Sequence, residues 1–497
     1  MAHDARTRDA ALALLLLLAG CGDGADTDPQ ATSTSSPPPA SAALQSVVYQ
    51  TFAANGDSDL HAVAEDGSGG AALASTELRE HFRGISSDGW VIYDRRVSDV
   101  AAHLVSVHIT GGEARVLDES ASGKLFRGFT PDDRVVYQKA TATGTAIHSI
   151  GPDGASPAVL VDEPYVSADF VAATASDRVL YQTCERSRDP EAPPQCVSAG
   201  LYSVAADGSD RRLLVAGTPR VALVTDQERV IYEADAGGHL DLYATASVGG
   251  APVTLAGSPD DEADPRLLPD GRILYARRVA GQWDVYIVNG DGSGSRALLA
   301  DPEDEFVTGI MPSGRILYVR GPGGGRNLYA IDPDGTNVAV LGDSTDDESL
   351  RRVTAEGRVV YSARRATGGF AQDDLYSVSP DGSDLRVLAD SQEFEWFEDV
   401  APDGRVVYMS CAAAPGGPCE DPGAQSDLYS VRQDGAGTTG LATTGDFETY
   451  RGVTANNRVV YQRLAGGQHD LRSTRTDGAE PRALAESPVD ERYQGLH

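Results

Sequence analysis

One short phrase recurs ten times along the chain and limits what it can fold into. The phrase is Arg-Val-Val-Tyr or a near variant. Its tyrosines are Tyr49, Tyr93, Tyr137, Tyr181, Tyr232, Tyr275, Tyr318, Tyr361, Tyr408 and Tyr461, and successive ones lie 43 to 53 residues apart. A period of this length built from short apolar runs is the mark of a β-propeller, with one four-stranded blade per repeat. Residues 397–441 show the cadence. Asp399 to Ala401 reads as a first strand, and Pro402-Asp403-Gly404 turns the chain. Arg405 to Tyr408 is a second strand, apolar on both sides as a sheet packed between neighbours requires. Asp427 to Val431 is a third strand, Asp434-Gly435 a hairpin turn, and a fourth strand ends at Leu441. No stretch keeps a helical period. The expected fold class is all-β, a propeller of ten four-stranded repeats over residues 46–497.

The frame starts inside a blade. Ser46 to Tyr49 reads as a second strand with no first strand before it. Glu491 to His497 matches first strands such as Tyr450 to Thr454 and Phe126 to Thr130. The C-terminal strand is therefore expected to close one ten-bladed ring and leave few free edges. The alternative is two five-bladed rings. Insertions carrying cysteines follow Tyr181 and Tyr408, five repeats apart, as a five-unit duplication would leave them.

Phrases such as Leu268 to Tyr275, followed by Asp284 to Tyr286 and then Asp291-Gly292, resemble the TolB-type, WD-repeat-like propeller repeat of bacterial exported proteins. The resemblance covers residues 46–497 and implies the propeller fold. That repeat serves binding scaffolds, enzyme lids and a few lyases, so it implies no single activity. The Gly-x-Ser-x-Gly elbow of the propeller peptidases is absent from the sequence.

Arg6 and Arg8 precede an apolar run, Ala10 to Leu18, too short to span a bilayer. Leu18-Ala19-Gly20-Cys21 then resembles the bacterial lipobox. This implies a signal peptide over 1–20, cleavage before Cys21 and a lipid on its thiol. Gly22 implies delivery to the outer membrane, facing the periplasm or the cell surface. Residues 21–45 hold almost no large apolar side chain and read as a disordered tether. Four further cysteines, Cys184, Cys196, Cys411 and Cys419, fit two disulfides in an exported chain. Three connectivities exist, and proximity favours Cys184–Cys196 and Cys411–Cys419.

The net charge of −33 excludes nucleic acid and anionic lipid surfaces as partners. The fourth-to-first connections concentrate this acidity: Asp260, Asp261, Glu262 and Asp264; Asp301, Glu303, Asp304 and Glu305; Asp346, Asp347 and Glu348; Glu393, Glu395 and Trp396. These loops share one face, so they form a candidate binding face for a basic protein or cationic ligand. The competing expectation is that each loop is locally paired by Arg83, Arg127, Arg266, Arg351 or Arg451. Asn289 to Ser293 and Asp332 to Thr336 suggest calcium weakly, since the bidentate glutamate of a full calcium loop is missing; no other cofactor is expected. Asp59, Asp241, Asp284, Asp374, Asp427 and Asp470 recur before third strands and are expected to cap the preceding loop. His81, beside Glu77 and Glu80, is the best isolated acid–base candidate, with no catalytic set around it. The functional expectation is a lipid-anchored envelope scaffold that binds a protein or ligand and is not an enzyme; the alternative is a propeller enzyme such as a polysaccharide lyase or hydrolase.

Substituting Cys21→Ser should release the protein from the membrane fraction, read by fractionation and by the mass of the native N-terminus. Unchanged membrane retention would contradict the anchor.

Overall fold

The computed structural model describes residues 43–98, 101–187, 196–322, 325–367, 370–411 and 425–497. The described residues contain forty strands and form ten antiparallel four-stranded blades. The protein is a β-propeller. Two pairs of neighbouring blades are joined by single parallel bridges, Thr145 with Ser167 and Ser426 with Phe447.

The second strand of each blade carries the repeat tyrosine and is buried on both faces. In Arg229–Asp235, Val230, Ile231 and Tyr232 are all enclosed. The tyrosine stacks on an aromatic ring directly opposite in the third strand: Tyr49 on His61, Tyr137 on His148, Tyr181 on Tyr202 and Tyr318 on Tyr329, with ring centroids 5.1 to 5.6 Å apart. Such cross-strand pairs stabilise a sheet beyond the area they bury. Val105 and Arg472 take the opposite position in the second and tenth blades. The turn between first and second strands needs a left-handed residue; Gly404 supplies it with φ 81°, and Asn457 takes the matching place at φ 60°. Each first strand also carries a bulge, as between Phe82 and Gly84 or Tyr450 and Gly452.

Apolar side chains from consecutive blades fill the space between them. Val48 and Leu60 of the first blade meet Val91 and Tyr93 of the second. Ile231 and Leu242 of the fifth meet Ile273 and Tyr275 of the sixth. The same holds at every step along the chain, one cluster for each neighbouring pair. A tenth cluster joins Val460, Leu471 and Leu484 of the last blade to Val47 and Val63 of the first.

Polar ties reinforce that last contact. Ser473 Oγ donates to Glu65 O at 2.6 Å and Gln462 Nε2 to Glu491 O at 2.5 Å. The C-terminal strand Asp490–Leu496 pairs with Ser46–Phe52 as its missing first strand, and Ser46 N donates to His497 O at 2.8 Å.

The disulfide Cys184–Cys196 ties the second and third strands of the fourth blade, with Cα atoms 5.1 Å apart. Cys411 is also disulfide-bonded. Its expected partner Cys419 lies outside the described residues, as do the proposed lipidation site Cys21, the signal peptide and most of the tether.

Removing residues 490–497 should strip the first blade of its inner strand and lower the melting temperature by several degrees. Each fully buried aliphatic or aromatic side chain uncovered costs about 1.5–3 kcal/mol. Unchanged melting, read by calorimetry, would show the closure to be ornamental.

Candidate binding face

The acidic connections divide into two groups. Glu262, Glu305, Glu348 and Glu395 are not on the surface at all; each is at most 1 % exposed. Their place in the repeat explains it. Each is the first or second residue of the innermost strand of its blade, and its side chain turns back against the blade before. A hydroxyl or backbone N–H four residues earlier satisfies one oxygen: Ser258 for Glu262, Asp301 N for Glu305, Ser344 for Glu348, Ser391 for Glu395. Burial pushes Glu305 and Glu395 up to about 7 and raises Glu262 and Glu348 as well.

The remaining acids do lie at the surface, and most are engaged within the protein. Asp260 pairs with Arg277 at 2.8 Å, Asp264 with Arg266 at 3.1 Å, Asp347 with Arg326 at 3.0 Å, Asp346 with Arg365 at 3.5 Å, and Asp301 with Arg320. Asp261 accepts from Leu240 N and Asp304 from Trp283 N, each capping the third strand of the preceding blade. Ser410 donates to Glu393 at 2.6 Å. Glu303 is exposed. Trp396 is 36 % exposed, whereas Phe397 packs into the core between the eighth and ninth blades. Exposed ion pairs add little stability, but each cancels charge locally.

Two expectations are corrected here. The arginines expected to pair the loops mostly do something else: Arg83 binds Asp94, Arg351 reaches Asp373, and Arg127 and Arg451 donate to Gln138 and Gln462. Only Arg266 holds a loop acid as expected, and Arg277, Arg320, Arg326 and Arg365 hold the others. The aspartates ahead of the third strands are not loop caps; Asp261, Asp304, Asp347 and Asp490 do the capping instead. In the two loops considered for calcium, Asp291 accepts from Ser293 N and Oγ, and Asp334 from Thr336 N and Oγ1. Those bonds account for the oxygen spacing as ordinary turns.

The same face holds a cleft over the first three blades that the sequence flagged only through His81. It encloses 420 Å³ and is lined by Phe52, Arg79, Glu80, His81, Arg83 and Lys124, with Arg96 at its edge. In a chain of net charge −33, this is a local gathering of cations. Lys124 is buried in the cleft wall, donating to Ala102 O at 2.8 Å and pairing with Asp118 at 3.6 Å. Arg83 donates to Asp94 through Nε at 2.8 Å. The Arg79 guanidinium rests over Gly56, where a Cβ would lie 2.3 Å from Nη2. The side chain of Arg79 makes no hydrogen bond or ion pair among the described residues. His81 is exposed beside it and stands opposite Asp94 in the strand register.

The chain matches no family model and no curated protein. Solved structures resemble it in fold. A puromycin-hydrolyzing peptidase of Mycobacterium tuberculosis is 16 % identical, with 68 % of this chain and 60 % of that one covered and a TM-score of 0.35. Dipeptidyl peptidase 4 of Porphyromonas gingivalis is 10 % identical over 75 % and 65 %, with a TM-score of 0.46. TolB of Acinetobacter baumannii is 14 % identical over 66 % and 82 %, with a TM-score of 0.28. The chain thus spans less than two thirds of the length of either peptidase. These likenesses concern the propeller architecture and carry no activity across.

Proposed function

We propose that this protein is a lipid-anchored binding scaffold of the bacterial cell envelope, a single ten-bladed ring that captures a small anionic ligand in the cleft over its first three blades. The closed circuit of apolar clusters, the tenth blade returning to the first, supports the single ring. The lipobox resemblance at Cys21 supports the anchor. The observation that carries the binding site is Arg79, a cation whose side chain has no partner among the described residues, in a cleft of ligand size. Arg83 lines the same cleft, so a carboxylate or phosphate entering it would find a charged donor already in place. The paired state of the acidic loops weighs against a basic partner on the rest of the face.

Calorimetric titration of the full chain with a uronic-acid disaccharide, a dicarboxylate and a phosphomonoester tests the reading. At least one should bind, and Arg79→Ala should weaken it about tenfold or more, the loss expected for one charged hydrogen bond. The variant's own melting should stay unchanged, since Arg79 is exposed. Failure of all three probes, or affinity that survives Arg79→Ala, would contradict the assignment.

A further inference from the structure

At each interface the first strand of one blade runs beside the third strand of the blade before it. Two positions meet there, both aligned with the residue two places after the repeat tyrosine. Six interfaces place an aspartate against a glutamate: Asp59 with Glu80, Asp241 with Glu262, Asp284 with Glu305, Asp374 with Glu395, Asp427 with Glu448, and Asp470 with Glu491. The other four hold Asn327 with Glu348, His103 with Lys124, Ala146 with Ala168, and Gly200 with Pro219. Glutamate occurs only opposite aspartate or asparagine. Where lysine replaces it, histidine replaces the aspartate. Two positions that change together through ten copies of one unit are coupled.

Five of the six pairs leave an enclosed oxygen without a hydrogen-bond partner; at the sixth, Glu491 Oε2 accepts from Leu471 N at 3.4 Å. Glu80 Oε2 and Asp59 Oδ1, Glu262 Oε2 and Asp241 Oδ1, and Glu448 Oε2 and Asp427 Oδ1 are all enclosed and lack a hydrogen-bond partner, as do Oε2 of Glu305 and Glu395. The glutamates are 0 to 1 % exposed. A buried oxygen left without a donor is costly. The seventh interface shows what the contact requires. With both amide atoms of Asn327 satisfied, its nitrogen donates to Glu348 Oε2 and to Ser344 O, each at 3.3 Å. The asparagine brings a donor to the glutamate. A bridging cation would instead call for the amide oxygen.

We propose that each of the six Asp–Glu pairs binds one proton, shared between its facing oxygens, so that a carboxyl–carboxylate hydrogen bond ties each blade to the next. An aspartate has no donor of its own, so the pair takes from solvent the hydrogen that Asn327 carries covalently.

The surrounding charges do not remove the need. Glu80 also meets Asp57 and Arg95, Glu262 meets Arg277, and Glu305 meets Asp301 and Arg320. Glu395 meets Glu393, Glu448 meets Asp446 and Arg463, and Glu491 meets Asp470. On the aspartate side, Asp59 faces Asp57 and His61, Asp241 Oδ1 lies 3.3 Å from His239 Nε2 without a hydrogen bond, an ion pair only when that histidine is protonated, and Asp284 faces Arg277 and Asp304. Asp374 holds Arg365, with Asp346 and Asp390 nearby; Asp427 faces Glu393; Asp470 holds Arg463. Burial dominates in the glutamates, pushing Glu80, Glu305 and Glu395 up to about 7 and Glu448 up to about 6. The protons belong to the pairs rather than to either residue. Because the folded values are raised, this stability is complete below the ordinary glutamate value of 4.5 and is lost as pH rises through about 7.

Infrared spectroscopy of the full chain at neutral pH should show a protonated-carboxyl stretch that diminishes as the six aspartates are changed to asparagine. Wild-type melting temperature should fall from about pH 5 to about pH 8.5, bracketing the raised values. Asp284→Asn, which copies the Asn327 interface, should melt with wild type at the lower pH and above it at the higher. An absent protonated-carboxyl band would overturn the proposal, and so would an Asp284→Asn variant destabilised equally at both pH values. Calcium-dependent stabilisation abolished by Asp59→Asn or Asp284→Asn would also overturn it, converting the pairs into cation sites. Because the infrared band is read on the wild-type protein, the proposal stays open to refutation even if a variant fails to fold. Its failure is distinguishable from failure of the binding reading, which is tested by ligand titration and Arg79→Ala.

Discussion

Everything in this protein rests on the contact between one blade and the next. A four-stranded sheet with a second strand such as Val230-Ile231-Tyr232 is apolar on both faces and cannot stand alone in water. It must be sandwiched, and the only partners of matching shape are other copies of itself. Ten copies therefore need ten interfaces, and the cluster of Val460, Leu471 and Leu484 against Val47 and Val63 supplies the last. Asp490–Leu496 completes the first blade, which makes that segment a structural element.

The same interface decides where the charge goes. A chain with 74 acidic and 41 basic residues looks, on paper, like a large negative field. In three dimensions much of that field is spent between neighbours. Glutamates such as Glu305 and Glu395 are withdrawn into the seam, and aspartates such as Asp260 and Asp347 are met by arginines of adjoining strands. Cations gather over the first three blades, where Arg79, Arg83 and Arg96 line one cleft and Lys124 replaces the usual glutamate. Two coupled changes in the repeat there, Lys124 and His103, turn an acidic seam into the wall of a basic cleft.

The architecture was legible in the sequence because its cause is local and periodic. The strand phrases, the Asp-Gly turns and the match of Glu491 to His497 with other first strands each name their own position, and Cys184 with Cys196 pair as their proximity suggests. The site was much less legible. Acidic residues read one loop at a time look exposed, and nothing in Asp304-Glu305 says that the first caps a strand while the second is buried. Placing them needs the register between blades, which a single repeat does not contain. Aligning the repeats on the tyrosine does reveal the signal, since the third-strand aspartates and the next first-strand glutamates rise and fall together. Arg79 gave no such signal; its isolation depends on Gly56 making room for its guanidinium.

Amide hydrogen exchange on the intact chain tests the central claim of a closed circuit most directly. Ser46–Phe52 is a second strand paired on both sides, by Ser58–Ala64 and by Asp490–Leu496. If the circuit is closed, its amides should exchange as slowly as those of Val135–Ala140, the second strand of the third blade. Fast exchange across Ser46–Phe52 and Asp490–Leu496, with Val135–Ala140 protected, would mean that the first blade has an open edge and that the ten blades do not close.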